Sequence, residues 1–204
     1  MNLDQLIPVL KTYVSGCPQP IMREELRRSA RRFFERSTVW RVDVYVGIGA
    51  GMDYANLKLP EATMQVSIVR AQLTDDKDPL NPAPAGLNWA STERGKPKFY
   101  SADRPGKIGF FPLPNDTHSC KVRVAVKPEL GSPVIPDELG DMYGELIAEG
   151  AAASILSMPD ADWYNPKQSD FHRANADRGI VEARTKVDMG YSNNGGRVYG
   201  GQFI

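Results

Sequence analysis

The hydrophobic pattern of this chain changes its period twice, and this limits the folds open to it. Apolar residues recur three and four positions apart over residues 1–38, which is helical spacing. Short β-branched runs over residues 39–126 predict strands, and helical spacing returns at residue 137. The sequence therefore predicts an α+β fold: a helical bundle of two N-terminal and two C-terminal helices, a β-rich insertion and an extended C-terminal tail.

Capping and breaking residues bound the predicted helices. Gly16 and two prolines separate the first helix from the second, and Pro20 suits the first position of the second. Pro159 ends the third helix, Asn165 caps the fourth and Gly190 ends it. The predicted apolar positions are Leu3, Leu6, Ile7 and Leu10; Met22, Leu26, Ala30 and Phe33; Leu139, Met142, Tyr143, Leu146 and Ile147; and Ala176, Ile180, Ala183 and Val187.

The domain division follows from the same pattern. Residues 1–38 and 133–190 form the predicted helical body, residues 39–132 the β-rich insertion and residues 191–204 the tail. The predicted strands lie at residues 42–48, 55–59, 64–73, 107–111 and 121–126. Residues 75–106 are rich in Pro, Gly, Asp and Asn, which predicts a long loop that carries short strands of its own.

The composition of the chain argues against several classes of function. The 204 residues include 25 Lys and Arg against 25 Asp and Glu, which argues against a protein that coats nucleic acid through bulk positive charge. Cys17 and Cys120 fit no metal-ligand spacing and cannot build a disulfide framework. The longest uncharged apolar stretch, residues 150–158, is far shorter than the ~20 residues that span a bilayer. We expect a soluble, unexported protein with no membrane partner.

No catalytic, cofactor or metal motif is recognisable. Gly47–Gly51 follows an apolar run as a dinucleotide-binding loop does, but Met52 stands where the third glycine belongs and a strand is predicted where a helix should follow. We expect His118, in a predicted loop at 115–119, and His172 to be solvent or interface histidines, because no ligand spacing accompanies either. The sequence predicts that the chain is not an enzyme and needs no cofactor or metal; a nucleotide-binding protein using Gly47–Gly51 is the less favoured alternative.

Opposite charges are segregated on two predicted helices. Residues 21–41 contain seven arginines against three glutamates, and residues 137–149 contain five acidic residues and no basic one. Such faces can pair within one subunit, as a helical bundle held by salt bridges. They can also pair between subunits, in a head-to-tail contact that closes into a ring. Two solvated faces are the third alternative, because exposed ion pairs contribute only about 0–1 kcal/mol each. The residues assigned to an intersubunit ring contact are Arg23, Arg27, Arg28, Arg31, Arg32, Glu138, Asp141, Glu145 and Glu149.

The glycine-rich end of the chain carries regularly placed large side chains. A purely flexible linker has no need of them, so we expect this tail to order against a partner. The predicted docking residues are Tyr191, Val198, Tyr199, Gly200, Gly201, Phe203 and Ile204.

Several short segments, in their order and spacing, resemble the head-to-tail adaptor (connector) proteins of tailed bacteriophages. The resemblance covers nearly the whole length and includes no catalytic signature. Its segments are Val14–Pro20, Glu25–Thr38 with Val39–Trp40, Tyr54–Pro60, Trp89, Gly95–Tyr100, Phe111–Pro114, Ile135–Asp137, Ile147–Ala151, Met158–Pro159, Trp163–Pro166 and Gly200–Ile204.

The resemblance implies a structural virion protein. Such proteins form a dodecameric ring beneath the portal protein, which joins the capsid to the tail or nozzle proteins below and leaves a channel for genomic DNA during ejection. It implies that the helices form the ring body, that neighbouring copies touch in the ring, and that the tail docks on the portal. The expected location is the neck of the virion, and the host cytoplasm during assembly. A tail-completion or baseplate protein is the alternative within the same class.

Overall fold

Helices occupy both ends of the described chain and strands occupy its middle. The computed structural model describes residues 1–85, 87 and 92–190, which form an α+β fold with four α-helices and several sheets. The helices are α1 (Ile7–Tyr13, after a 3-10 turn at Leu3–Leu6), α2 (Gln19–Ser37), α3 (Asp137–Leu156) and α4 (Pro166–Asp188). The strands are β1 (Arg41–Ile48), β2 (Tyr54–Asn56), β3 (Thr63–Leu73), β4 (Asn81–Pro82), β5 (Arg94–Gly95), β6 (Phe99–Ser101), β7 (Lys107–Phe111), β8 (Leu113–Pro114) and β9 (His118–Pro128).

Local sequence explains where the helices begin and end. Pro20 lies in the first turn of α2, where a missing backbone N–H costs nothing. Thr38 ends α2 in the left-handed conformation, at φ 53°, and its N–H donates to the Phe34 carbonyl at 3.0 Å. At α4, the Asn165 side chain accepts from the backbone N–H of Gln168 at 3.2 Å. These starts and ends agree with the sequence prediction.

The helices share one hydrophobic cluster, in which α3 packs against α1, α2 and α4. Leu26 and Ala30 of α2 are fully buried in it. Glycines allow the helices to approach closely: a Cβ on Gly150 of α3 would lie 2.5 Å from the Oγ of Ser29 on α2. The Ser29 hydroxyl donates a buried hydrogen bond of 2.7 Å to the Ile147 carbonyl, so this crossing is also held by a polar contact.

The insertion contains three sheets. Strands β1, β9 and β3 form an antiparallel sheet in that order, and the pairing of β1 with β9 ends at Ile48 opposite His118. Along β1 the side chains alternate, with Val44 and Val46 buried and Tyr45 exposed. A sheet in the order β2-β7-β6-β4 and the pair β5-β8 complete the insertion.

Buried apolar residues form two clusters, one among the helices and one in the insertion. The half-buried Trp40 packs against both, and its carbonyl accepts from the Val126 N–H at 2.8 Å. Two further contacts join α2 to the end of β9. Arg31 donates to the Pro128 carbonyl at 2.6 Å, and the Lys127 ammonium lies 2.9 Å from a Glu35 oxygen. The insertion is thus fastened to α2 by packing, hydrogen bonds and an ion pair.

Two sequence expectations for the insertion need correction. The predicted 115–119 loop is wrong in part, because His118 begins strand β9 and pairs with Ile48. The strand predicted at residues 55–59 is shorter, ending at Asn56, because only three residues pair with β7. The short strands expected within residues 75–106 are present as β4, β5 and β6. Trp89 and the predicted tail, residues 191–204, lie outside the described residues.

Candidate functional site

Several arginines of α2 are satisfied within the chain. Arg28 bonds the carboxylates of Glu24 and Glu25 on its own helix, at 3.1 and 3.0 Å. Arg23 lies 3.1 Å from Asp4. Arg31 is bound to a carbonyl at the end of β9, as described above. These arginines, predicted to face a neighbouring copy, therefore have partners in their own subunit.

Two arginines of the predicted set have no such partner. Among the described residues, no carboxylate forms an ion pair with the half-buried Arg27 or the exposed Arg32. The next arginine along α2, Arg36, pairs with Asp177 of α4. Arg32 is consequently a charged side chain that remains free to meet an external anion.

Like the arginines of α2, some acidic residues of α3 have a partner in the described chain and others do not. Asp137 contacts the amino group of Met1. Glu149, only 14% exposed, contacts Nδ1 of His172. Glu138, Asp141 and Glu145 are exposed, and no cation of the described chain pairs with them. These three are the acidic residues available to another molecule.

Met142 lies among these carboxylates. The sequence assigned it to the apolar core face of α3, which is wrong: its side chain is 51% exposed. The positions Glu138, Asp141, Met142 and Glu145 follow the i, i+3, i+4, i+7 spacing of one helix side. We call these four residues the acidic stripe.

The two charged sets do not meet inside the subunit. Helices α2 and α3 pack through buried apolar side chains, and within the described chain no ion pair joins an arginine of α2 to an acidic residue of α3. The intrasubunit alternative, a bundle laced with salt bridges between these helices, is therefore wrong.

A cleft of about 330 Å³ opens between α2, α3 and α4. Its lining includes buried apolar side chains, Phe33 and Ile180 among them, and small residues of α3. Three exposed arginines also line it: Arg32 and Arg36 from α2 and Arg173 from α4. Arg36 is paired with Asp177, while Arg32 and Arg173 have no carboxylate partner in the described chain. We call this the basic cleft.

The acidic stripe and the basic cleft use different parts of α3. Asp141 and Glu145 belong to the stripe, and Gly150 and Ser154 line the cleft. The stripe residues lie at positions 138–145, in the first half of the helix, and the α3 residues of the cleft lie at positions 146–157, in its second half. One subunit therefore presents an acidic and a basic surface that share no residue.

The histidines occupy structural positions. His172 is 7% exposed, packs 4.9 Å from the Tyr13 ring and contacts Glu149, so the expectation of a solvent or interface histidine is wrong for it. Nδ1 of His118 lies 3.6 Å from Asp75. Among the described residues, each imidazole contacts a carboxylate, and no hydrogen bond joins either one to a cysteine thiol or a serine hydroxyl, as nucleophilic catalysis requires.

The glycine loop differs from a dinucleotide site in its context. Strand β1 ends at Ile48, and strand β2 follows at Tyr54. A phosphate-binding loop instead leads into a helix, whose N-terminus holds the phosphate. The sequence prediction of a strand after Gly47–Gly51 is confirmed.

Two further features of the insertion bear on its chemistry. On the outer sheet face Asp43 accepts hydrogen bonds of 2.7 and 2.9 Å from Arg123, which hold the pKa of Asp43 well below its usual range. Cys120 and Cys17 are both buried and unbonded to each other. Burial raises the pKa of the Cys120 thiol to about 11 and also raises that of Cys17.

The sequence matches no protein-family model, and it matches no curated protein at a significant level. Over the described residues, no helix is both long and apolar enough to span a bilayer. No group of three potential metal-ligating side chains occurs in that same part of the chain.

Proposed function

We propose that this protein is a head-to-tail adaptor of a tailed bacteriophage, a structural virion protein that assembles into a ring beneath the portal. The observation that carries this proposal is that one subunit presents an acidic stripe and a basic cleft as two separate surfaces with no residue in common. A head-to-tail contact needs two different, complementary surfaces on each copy, and repetition of that contact closes a ring when the rotation allows. Arg32 on one side of the contact and Glu138, Asp141 and Glu145 on the other, all without an ion-pair partner among the described residues, supply such surfaces.

In this proposal the helices form a bundle that makes the ring body, and residues 191–204 dock on the portal protein. The ring joins capsid to tail or nozzle proteins in the neck of the virion, after assembly in the host cytoplasm. The near-zero net charge suits a channel through which genomic DNA slides, because strong phosphate neutralisation would oppose ejection.

The charged surfaces set the direction and register of the contact more than its strength. Exposed ion pairs contribute only about 0–1 kcal/mol each, whereas juxtaposed like charges select strongly against wrong pairings. We therefore expect weak self-association in isolation and complete rings on a portal template, where neighbouring copies are held close together.

The test is charge reversal of the stripe, with Glu138, Asp141 and Glu145 all changed to Lys, followed by negative-stain imaging with the cognate portal. The matched control reverses three other exposed, unpaired acids, Glu61, Asp78 and Asp116, so that the net charge changes equally. We expect coaxial rings from the wild-type protein and the control, and bare portals from the stripe variant. Circular dichroism checks that all three proteins are folded.

If the stripe variant still forms rings, the acidic stripe takes no part in the contact between copies. Bare portals with the wild-type protein would refute the adaptor function and favour a tail-completion or baseplate role, to be tested with isolated tails. A thermal shift on adding nucleotides would instead support the nucleotide-binding alternative, because a ligand that binds only the folded state raises the melting temperature.

A further inference from the structure

We propose that the basic cleft is the socket for the acidic stripe of a neighbouring copy, with Met142 inserted between α2 and α4 of its neighbour. This inference rests on the proposed ring and names the contact that builds it. Two residues outside the predicted set of ring contacts, Met142 and Arg173, become central to it.

Met142 has the position and chemistry of an inserted side chain. It is the exposed apolar residue of the stripe, 51% accessible, with Glu138 one turn before it and Glu145 close to one turn after it. Water offers the apolar side chain of Met142 no stabilising interaction at this exposed position among carboxylates. Its unbranched, polarisable side chain fits irregular apolar surfaces, which is why methionine is common at binding surfaces.

The cleft offers the matching environment. The partly exposed Leu146 of α3 supplies apolar surface to an inserted side chain, and the buried Phe33 and Ile180 line the cleft beside it. Arg32 and Arg173 stand on the two helices that flank the cleft, and neither is neutralised by the described chain. Carboxylates that flank an inserted Met142 would meet these guanidinium groups, which bind carboxylates with two parallel hydrogen bonds.

The positions of the two surfaces allow one repeating contact. The stripe lies at positions 138–145 of α3 and the α3 residues of the cleft at positions 146–157, so the two surfaces share no residue. Each copy therefore gives Met142 to one neighbour and receives Met142 from the other. Such a contact is heterologous, and it leaves no unused surface of either kind in a closed ring.

Disulfide trapping tests this contact. Met142→Cys is mixed with a second variant carrying Ser157→Cys, a cleft residue that is exposed at the end of α3. In the matched control the second variant carries Ser119→Cys instead of Ser157→Cys. Ser119 is an exposed serine on the outer face of β9. The native thiols are buried, so they do not compete. Wild-type rings on the portal are imaged in parallel.

We expect the 142–157 heterodisulfide, identified by peptide mass, to form at least about tenfold more than the 142–119 product, since a specific contact raises the effective concentration of the two thiols. Arg32→Glu with Arg173→Glu in the Ser157→Cys partner should remove this excess. Rings on the portal with no excess of the 142–157 product overturn the socket and leave the adaptor function standing. If neither the rings nor the 142–157 product form, the socket and the adaptor function are both overturned.

Two other results would also overturn the socket. An excess that survives reversal of Arg32 and Arg173 shows that the arginines do not receive the stripe. Binding of tripolyphosphate to the wild-type protein, lost with the same reversals, assigns the cleft to a free anion if the 142–157 product stays at the control level. The apolar side chain of Leu146 in the lining argues against a fully hydrated anion as the occupant.

Discussion

The crossing of α2 and α3 can be tested by adding one methyl group, with Gly150→Ala. A Cβ at this position would lie 2.5 Å from the Ser29 hydroxyl oxygen, closer than two such atoms can stand. That hydroxyl makes a buried hydrogen bond of 2.7 Å to the Ile147 carbonyl. The new methyl group therefore displaces the Ser29 side chain from its hydrogen bond and also crowds the crossing of the two helices.

Three contributions decide whether Gly150→Ala raises or lowers the free energy of unfolding. Alanine improves helix propensity over glycine by about 1 kcal/mol. Overpacking a close crossing costs about 1–3 kcal/mol, and a buried hydroxyl that loses its partner costs about 1–3 kcal/mol more. The costs exceed the gain, so we expect Gly150→Ala to lower the free energy of unfolding by about 2–3 kcal/mol. For a chain of this size each 1 kcal/mol shifts the melting temperature by about 2–4 °C.

A double-mutant cycle with Ser29→Ala isolates the cause. Ser29→Ala alone removes one hydrogen bond and should cost about 1 kcal/mol. In the double variant the colliding oxygen is absent and the helix gains alanine, so stability should return to within about 1 kcal/mol of wild type. Urea unfolding followed by circular dichroism measures all four proteins. A double variant less stable than Gly150→Ala would refute the steric reasoning.

Two further predictions concern stability in acid and the burial of the thiols. Since the Arg123 hydrogen bonds lower the pKa of Asp43 in the folded state, the stabilisation they give is complete above the unfolded pKa near about 4 and is lost as pH falls through the folded pKa. Asp43→Asn should therefore flatten the acid side of the stability curve from urea unfolding at pH 7 to 2; an unchanged slope contradicts this. Burial of Cys17 and Cys120 should block labelling by a thiol reagent at pH 8, with both reacting in denaturant. Rapid labelling of the folded protein would show that a cluster opens, the helical one if Cys17 reacts and that of the insertion if Cys120 reacts.

Helix and strand positions could be predicted because their signals are local. A proline in the first turn of α2 and an asparagine before α4 act on backbone groups within a few residues, so their effect does not depend on the rest of the fold. The strand at residues 55–59 was predicted too long because strand length depends on pairing with a distant partner, here β7. His118 was assigned to a loop for the same reason, since its place in β9 follows from pairing with Ile48.

The candidate surfaces were predicted only in part. The charge imbalance of α2 and α3 is visible in the sequence, but the arginines that remain free are not. Arg28 and Arg31 are bound within the subunit, whereas Arg173, on a helix distant in sequence, joins Arg32 at the same cleft. Met142 was assigned to the core, although its spacing from Glu138 and Glu145 already indicated the acidic side.

The sequence by itself determined the order of helices and strands, the separation of charge between α2 and α3, and the placement of Glu138, Asp141 and Glu145 along one side of α3, because hydrophobic period and helix geometry are local properties. Only the tertiary structure decided which charges remain free, because neutralisation requires contacts between distant elements. It also decided that α2, α3 and α4 enclose a cleft, since the spacing of helices is set by the small side chains where they cross, as at Gly150.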